Sequence, residues 1–369
     1  MTNKLTTTPL IASLPSIIPF NGPEALERQN GRPFKARLGA NENSFGTSPL
    51  ALAAMNAEID ASWQYGDPED YDLKQALSAF HKVPVEAINV GAGVDALLGL
   101  IVRLFISPND VVINSLGGYP TFNYHVAGFG GKLITVPYKD DHVDLKALNQ
   151  AAQTHHAKIV YLANPDNPLG TWHDKHEIEA FFDTIPTQTL IILDEAYCDM
   201  MPEDDLLSFT SLRPNVLRTR TFSKAYGMAG MRCGYVIGSP DIIKNFDKIR
   251  DHFAMNRVVQ KGAIAALNDR DYYHSMIKKI SAGRAKIIDI AKSNKLQTLP
   301  SATNFVAIDC GRDGAFATKV YEGILKRDIF IRKPSAPIID RLIRVSVGTD
   351  LELDLFAKAL QEALHDASI

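Results

Sequence analysis

From about residue 70 onward, short apolar runs alternate along the chain with stretches of helical periodicity. The runs at 111–114, 133–136, 159–163, 190–193, 216–219 and 233–237 are mostly apolar at successive positions, not at every second one. Uniform runs of this length predict strands buried on both faces. Between them, 72–80 (DLKQALSAF), 95–105, 144–152 and 176–182 carry helical spacing. Strand and helix in alternation predict a wound α/β sheet.

After roughly residue 265 the pattern changes. A long helical stretch at 272–293 leads to strands at 304–308 and 342–347, and a closing helix is expected at 351–364. At 369 residues the chain exceeds what one core usually supports, so a large and a small domain are expected. The expected division is an arm at 1–30, a large domain at 31–265 and a smaller α/β domain at 266–369. The arm is rich in Pro and Thr and needs a surface to lie against, which the small domain would supply.

Composition narrows the function. With 46% hydrophobic and 22% charged residues and a formal charge of −3, this is an ordinary globular chain without a long basic stripe. Neither nucleic acid nor an anionic membrane is an expected partner. Cys198, Cys233 and Cys310 are too scattered for a disulfide framework or a metal clip, which fits a reducing cytosol. The first residues carry one lysine, and Pro15 and Pro19 break their apolar stretch, unlike a secretory signal. The longest apolar run, at 96–102, falls far short of a membrane span. A cytoplasmic location is therefore expected. His173, Asp174, His176 and Glu177 read as a solvated helix start, so no metal site is expected.

Candidate chemistry begins at 220–235, RTFSKAYGMAGMRCGY. A lone lysine in a glycine-containing loop is ordinarily a solvated one. Here Lys224 follows a strand, with Thr221 and Ser223 before it and Arg232 eight positions on. Two hydroxyls and a guanidinium fork suit a phosphate dianion. A lysine beside a bound phosphate cofactor is laid out for a Schiff base, provided its amine is neutral when it attacks a carbonyl. Asp194 ends the run TLIILD, at the carboxyl end of a strand where α/β sheets bind ligands. It reads either as a capping residue of a plain turn or as the acidic partner of a pyridine nitrogen, with Tyr197 donating to a phenolic oxygen. The turn NPDNPLG at 164–170 is stiff enough to fix the amide of Asn167 as a second such donor. Gly91-Ala-Gly93-Val94-Asp95 opens a helix whose first N–H groups suit a phosphate, although Asp95 also reads as a simple cap.

These segments, together with NENSFGTSP (41–49), YPTF (119–122) and IRVSVGT (343–349), resemble the fold-type-I, class I/II aminotransferases. The likeness is greatest to the histidinol-phosphate aminotransferase branch, and its motifs run in family order over nearly the whole chain. The resemblance implies a PLP-transferase fold, a mainly parallel seven-stranded sheet sandwiched by helices with a smaller α/β C-terminal domain. It implies pyridoxal 5′-phosphate (PLP) as cofactor, a homodimer, and amino transfer to a 2-oxo acid by a ping-pong mechanism. The donor would be an L-amino acid or a histidinol phosphate-like amine. Lys224 would be the Schiff base and proton carrier, and Asp194 the partner of the pyridine nitrogen. Asn167 and Tyr197 would hold the cofactor's O3′, with Phe122 on the ring face. Gly93, Val94, Asp95, Thr221, Ser223 and Arg232 would form the phosphate cup, reached by Tyr65 of the other subunit. Arg344 would bind the substrate carboxylate, with Asn41 and Asn304 nearby and Arg332 at a distal phosphate.

Some positions depart from that pattern. The family's Pro-Tyr in the arm reads Pro19-Phe20, and its Arg-Tyr-Pro reads Gln64-Tyr65-Gly66. Losing one hydroxyl is worth about 0.5–1.5 kcal/mol and fits a less polar substrate end. The alternative within PLP chemistry is a decarboxylase of the threonine-phosphate type. The rival from another class is a nicotinamide dehydrogenase, for whose fingerprint GAGVDA fails at the third glycine. A PLP-binding regulator would need an added DNA-binding domain, for which no length remains.

Overall fold

The computed structural model describes residues 5–16 and 22–368. Seven strands form the principal sheet: β1 (Ile88–Gly91), β2 (Val111–Ser115), β3 (Lys132–Val136), β4 (Ile159–Ala163), β5 (Leu190–Asp194), β6 (Val216–Thr221) and β7 (Gly234–Gly238). Their spatial order is β1-β7-β6-β5-β4-β2-β3. β7 runs antiparallel to both its neighbours, and every other pairing is parallel. The expected mainly parallel, helix-covered sheet is what the chain forms.

The uniform apolar runs have the cause expected of them. On β4 and β5, Ile159, Tyr161, Leu190 and Ile192 pack with Leu97, Leu98 and Ile101 of the helix Val94–Phe105 on one face. Val160, Leu162, Ile191 and Leu193 pack on the opposite face with Leu148, Ile178 and Phe181 of two other helices. Each fully buried Leu or Ile side chain contributes about 1.5–3 kcal/mol. Alternation within each strand also decides the face on which its last residues project. Asp194 continues the side of Ile192, and Thr219 the side of Leu217.

A second, three-stranded antiparallel sheet carries the C-terminal part of the site, in the order Leu342–Ser346, Phe305–Asp309, Gln297–Thr298. The helices Arg270–Ser293, Gly314–Lys326 and Asp350–Ser368 pack with it. Asp269 caps the first of these through the amide of Tyr272, which starts the helix two residues before the expected position. Residues Ala36–Arg37 pair in parallel with Ile329–Phe330, and Leu38 accepts from the amide of Ser346. The segment leading to Asn41 is thus strapped to the C-terminal strands.

β1 is the strand that the sequence pattern does not reveal. It is four residues long, includes the buried Asn89, and ends at once in the glycine turn, so it offers no apolar run. Its partner β7 lies far along the chain.

Behind β7, His81 sits with Nε2 at 2.8 Å from the Tyr235 hydroxyl. Burial, reinforced by the nearby Arg220, pushes its pKa down to about 3. Between that value and the ordinary 6.5, the unfolded chain holds the extra proton and the folded chain does not. Stability at this residue is therefore complete above 6.5 and falls on acidification, by about 1.4 kcal/mol per pH unit. In His81→Phe, urea midpoints measured at several pH values in that window should lose this part of their slope.

Candidate active site

A cavity of about 690 Å³ opens at the carboxyl ends of β4, β5 and β6, closed on its far side by Arg332 and Arg344 of the C-terminal strands. This is where a parallel sheet leaves a crevice for ligands. No helix among the described residues is long and apolar enough to cross a membrane. His173, one of the histidines read as a helix start, contacts the Val143 carbonyl and Glu177 beside the capping box of Asp174.

Asp194 ends β5 in the cavity wall and is buried. Burial raises its pKa, against the pull of three donors. These are the Tyr161 hydroxyl at 2.6 Å, the Ala196 amide at 3.0 Å and the Thr219 hydroxyl at 3.2 Å. A buried carboxylate so placed is primed for a cationic partner.

Lys224 lies three residues beyond β6, its Nζ donating to the Asn41 carbonyl at 2.9 Å and lying 5.4 Å from the centre of the Tyr197 ring. The Tyr197 oxygen accepts from Asn41 Nδ2 at 2.9 Å and, at 3.5 Å, from Asn167 Nδ2. With its lone pairs engaged, Tyr197 keeps its own hydrogen for donation. Asn41 is further held by Ser346, whose hydroxyl donates to Asn41 Oδ1 at 2.8 Å.

Arg344 donates Nη1 to Asn167 Oδ1 and Nη2 to the Gly39 carbonyl at 3.1 Å, while its buried Nε has no partner among the described residues. Both acceptors are neutral. Burial pushes the pKa of Arg344 down to about 10, and the fork is shaped to take a carboxylate.

At the other end, Gly93 precedes the helix Val94–Phe105 with a φ of +89°. A Cβ there would collide with the guanidinium of Arg232. Arg232 is itself in the left-handed region, at φ +56°. Thr221 and Ser223 share a 2.9 Å hydrogen bond beside these groups. Free helix amides, two hydroxyls and a guanidinium around a space only glycine leaves open fit a phosphate dianion.

A buried ion cluster fixes the strands beneath. Glu195 accepts bidentately from Arg218 at 2.7 and 2.9 Å, and from Arg220 at 3.2 Å. Burial would raise the Glu195 pKa, but the two arginines outweigh it and hold it low. Side chains of Arg218 and Glu195 are only 8% and 4% exposed. Arg218→Met should therefore cost about 3 kcal/mol in chemical denaturation, because the carboxylate loses its main partner.

Several expected positions lie elsewhere. Phe122 is not in the cavity wall: it is wholly buried and stacked on Tyr161, with ring centres 4.4 Å apart. The YPTF residue at the wall is Tyr119, just before the proline that starts the helix Pro120–Gly128, and its hydroxyl donates to Asp95 Oδ1 at 2.6 Å. Asn304 stands behind the wall, donating to the carbonyls of Asn41 and Glu42, so it shapes the site without lining it. Tyr65 is 79% exposed, packs on Phe253 and borders a separate small pocket. Phe20 lies outside the described residues. Lys333, Ser335 and Asn123 line the cavity without having been singled out in the sequence. Lys333 and Ser335 come directly after Arg332, and Asn123 comes after the YPTF motif, which is the signal that points to them.

The chain belongs to the aminotransferase class I and II family, whose model matches residues 35–360. Within that PLP-dependent family it falls in the histidinol-phosphate aminotransferase-like branch. It is 35% identical to histidinol-phosphate aminotransferase 1 of Nitrosococcus oceani over 346 residues, 93% of this chain and 92% of that protein. The crystal structure of histidinol-phosphate aminotransferase from Sinorhizobium meliloti, in complex with pyridoxal 5′-phosphate, is 49% identical and superposes with a TM-score of 0.96 over 99% of each chain. L-threonine-O-3-phosphate decarboxylase from Porphyromonas gingivalis shares the fold alone, at 19% identity and a TM-score of 0.76 over 89% of this chain and 99% of that one.

Proposed function

We propose that this aminotransferase works by a ping-pong mechanism centred on Lys224. It would move an amino group from an L-amino acid, or a histidinol phosphate-like amine, to a 2-oxo acid. The observation that carries the reading is the convergence of Lys224, Asp194, Asn167 and Tyr197 with a half-buried Arg344 that hydrogen-bonds only neutral partners.

PLP supplies an aldehyde that links covalently to amines and a ring that takes up electrons released at the substrate Cα. Thr221, Ser223, Arg232 and the amides of Val94 and Asp95 hold its phosphate. Asp194 would hold the ring nitrogen, and the amide of Asn167 and the hydroxyl of Tyr197 would donate to the ring oxygen. Tyr119, at the cavity wall, would flank the ring. Lys224 anchors the cofactor covalently at rest. Lys224, freed when a substrate amine takes its place, would be the group that accepts the proton from the substrate Cα and gives it back. Arg344 orients the substrate by its carboxylate, and the second half-reaction uses the same residues in reverse.

Arg332 and Lys333 at the far end of the cavity supply two cations suited to a phosphate, which supports histidinol phosphate as donor. Exposed Leu50, Leu52, Ile59, Trp63 and Tyr65 support a homodimer in which Tyr65 reaches the partner's site. The free, buried Cys198, Cys233 and Cys310 accord with a cytoplasmic setting.

The test mixes the holoenzyme with histidinol phosphate, Phe, Tyr, Asp or Ala and follows the visible band of the cofactor. Conversion to the pyridoxamine form with release of a 2-oxo acid is expected, fastest with histidinol phosphate. Release of carbon dioxide without keto acid would instead establish the decarboxylase.

A further inference from the structure

Tyr161 is half of a pair that neither the motifs nor the reaction scheme uses. It lies in the middle of β4, a fully apolar-looking strand, and its ring is all but inaccessible. Yet its edge lines the active-site cavity, and its hydroxyl donates to Asp194 Oδ2 at 2.6 Å.

The sheet dictates this contact. β4 and β5 run in parallel with Tyr161 opposite Ile192 and Ala163 opposite Asp194. Tyr161 and Asp194 therefore project from the same face, two residues apart along the strands, a span that a phenol covers. From the other flank Thr219, paired with Asp194 across β5 and β6, reaches Asp194 Oδ1. Phe122 lies nearly flat on the Tyr161 ring, with planes 17° apart, and fixes its position. Burial and the adjoining carboxylate drive the phenol's pKa far up, so the hydroxyl remains a donor throughout the working range.

We propose that Tyr161, held by Phe122, is a positioning residue that orients Asp194 and keeps its carboxylate ionised for the cofactor ring nitrogen. This rests on the reading that Asp194 faces that nitrogen. Burial by itself favours the protonated acid, and a short charge-assisted bond opposes it. It also gives Phe122 a role at one remove: the ring orders the phenol that orders the acid. An ordinary core tyrosine would have its hydroxyl satisfied by backbone or buried water. This one binds the carboxylate that forms the cavity wall.

Three variants test it, each as apo-protein and after loading with PLP. Tyr161→Phe keeps the ring and its stacking and removes one oxygen. The apo melting temperature should stay close to that of the parent, the dissociation constant for PLP should rise on the order of tenfold, and the visible band of the loaded protein should shift. Phe122→Leu leaves every polar group in place and should move affinity and band in the same direction by less, which also serves if Tyr161→Phe folds poorly. Asp194→Asn is the reference for the underlying reading. If Asp194→Asn loses affinity and band while Tyr161→Phe retains both, Tyr161 is a structural residue and the proposal is overturned. If Asp194→Asn itself retains both, the assignment of Asp194 fails, and the role of Tyr161 fails with it.

Discussion

Lys224→Ala is expected to lower the rate of amino transfer by about ten-thousandfold or more, since it would remove both the proposed covalent anchor and the proposed proton carrier. The loss should fall almost wholly on kcat. The phosphate cup, Asp194 and Asn167 are untouched by the change, so PLP should still bind, reversibly rather than covalently. Borohydride reduction tests this directly: it should fix the cofactor to the parent chain and leave Lys224→Ala unlabelled. A variant that still turned over at a substantial fraction of the parent rate would assign the proton transfer elsewhere. Added methylamine should restore part of the lost rate, because only a small amine is missing from a cavity that is otherwise intact.

Arg344→Gln is the second large effect, and it has opposite signs in two assays. The guanidinium is half-buried in the cavity wall with neutral acceptors, and among the described residues no carboxylate pairs with it. Removing a charge-assisted fork from a bound carboxylate costs about 2–5 kcal/mol, on the order of a hundredfold or more in kcat/KM. KM should bear much of that loss. In the apo-protein the same guanidinium has no carboxylate in direct contact, and desolvation pushes its pKa down to about 10. Replacing it with a neutral amide should leave the apo-protein as stable as the parent or more so. Paired titrations of substrate affinity and urea stability measure both arms. A large fall in stability together with lost activity would show Arg344 to be structural.

That Asn167, Asp194 and Lys224 line one cavity was readable in the sequence for a topological reason. Asn167, Asp194 and Lys224 each lie at or just beyond the end of a buried parallel strand, and such strands announce themselves as apolar runs with their functional residues at one end. What stayed hidden depends on parity or on distance along the chain. YPTF offers two aromatic residues, and only the start of the helix at Pro120 decides that Tyr119 faces the cavity and Phe122 the core. Tyr161 reads as one more apolar position in IVYLA until the register beside Asp194 is known. Pairing of Ala36–Arg37 with Ile329–Phe330 joins opposite ends of the chain and leaves no local trace. Asn304 fits the strand pattern of the C-terminal sheet, but its side chain turns to a backbone carbonyl rather than to the cavity.

Asn41 ties these distant segments to one point in space. With φ at +54°, it offers its carbonyl to Lys224 and Asn304, its amide nitrogen to Tyr197, and its amide oxygen and backbone N–H to Ser346. Ser346 and Arg344 belong to one strand. The side-chain nitrogen of Lys224 and the guanidinium that would seize the substrate are therefore surveyed from a common benchmark, although one follows a strand of the principal sheet and the other lies on the C-terminal sheet. The spacing between Lys224 and Arg344 is thus set through the hydrogen bonds of this one asparagine.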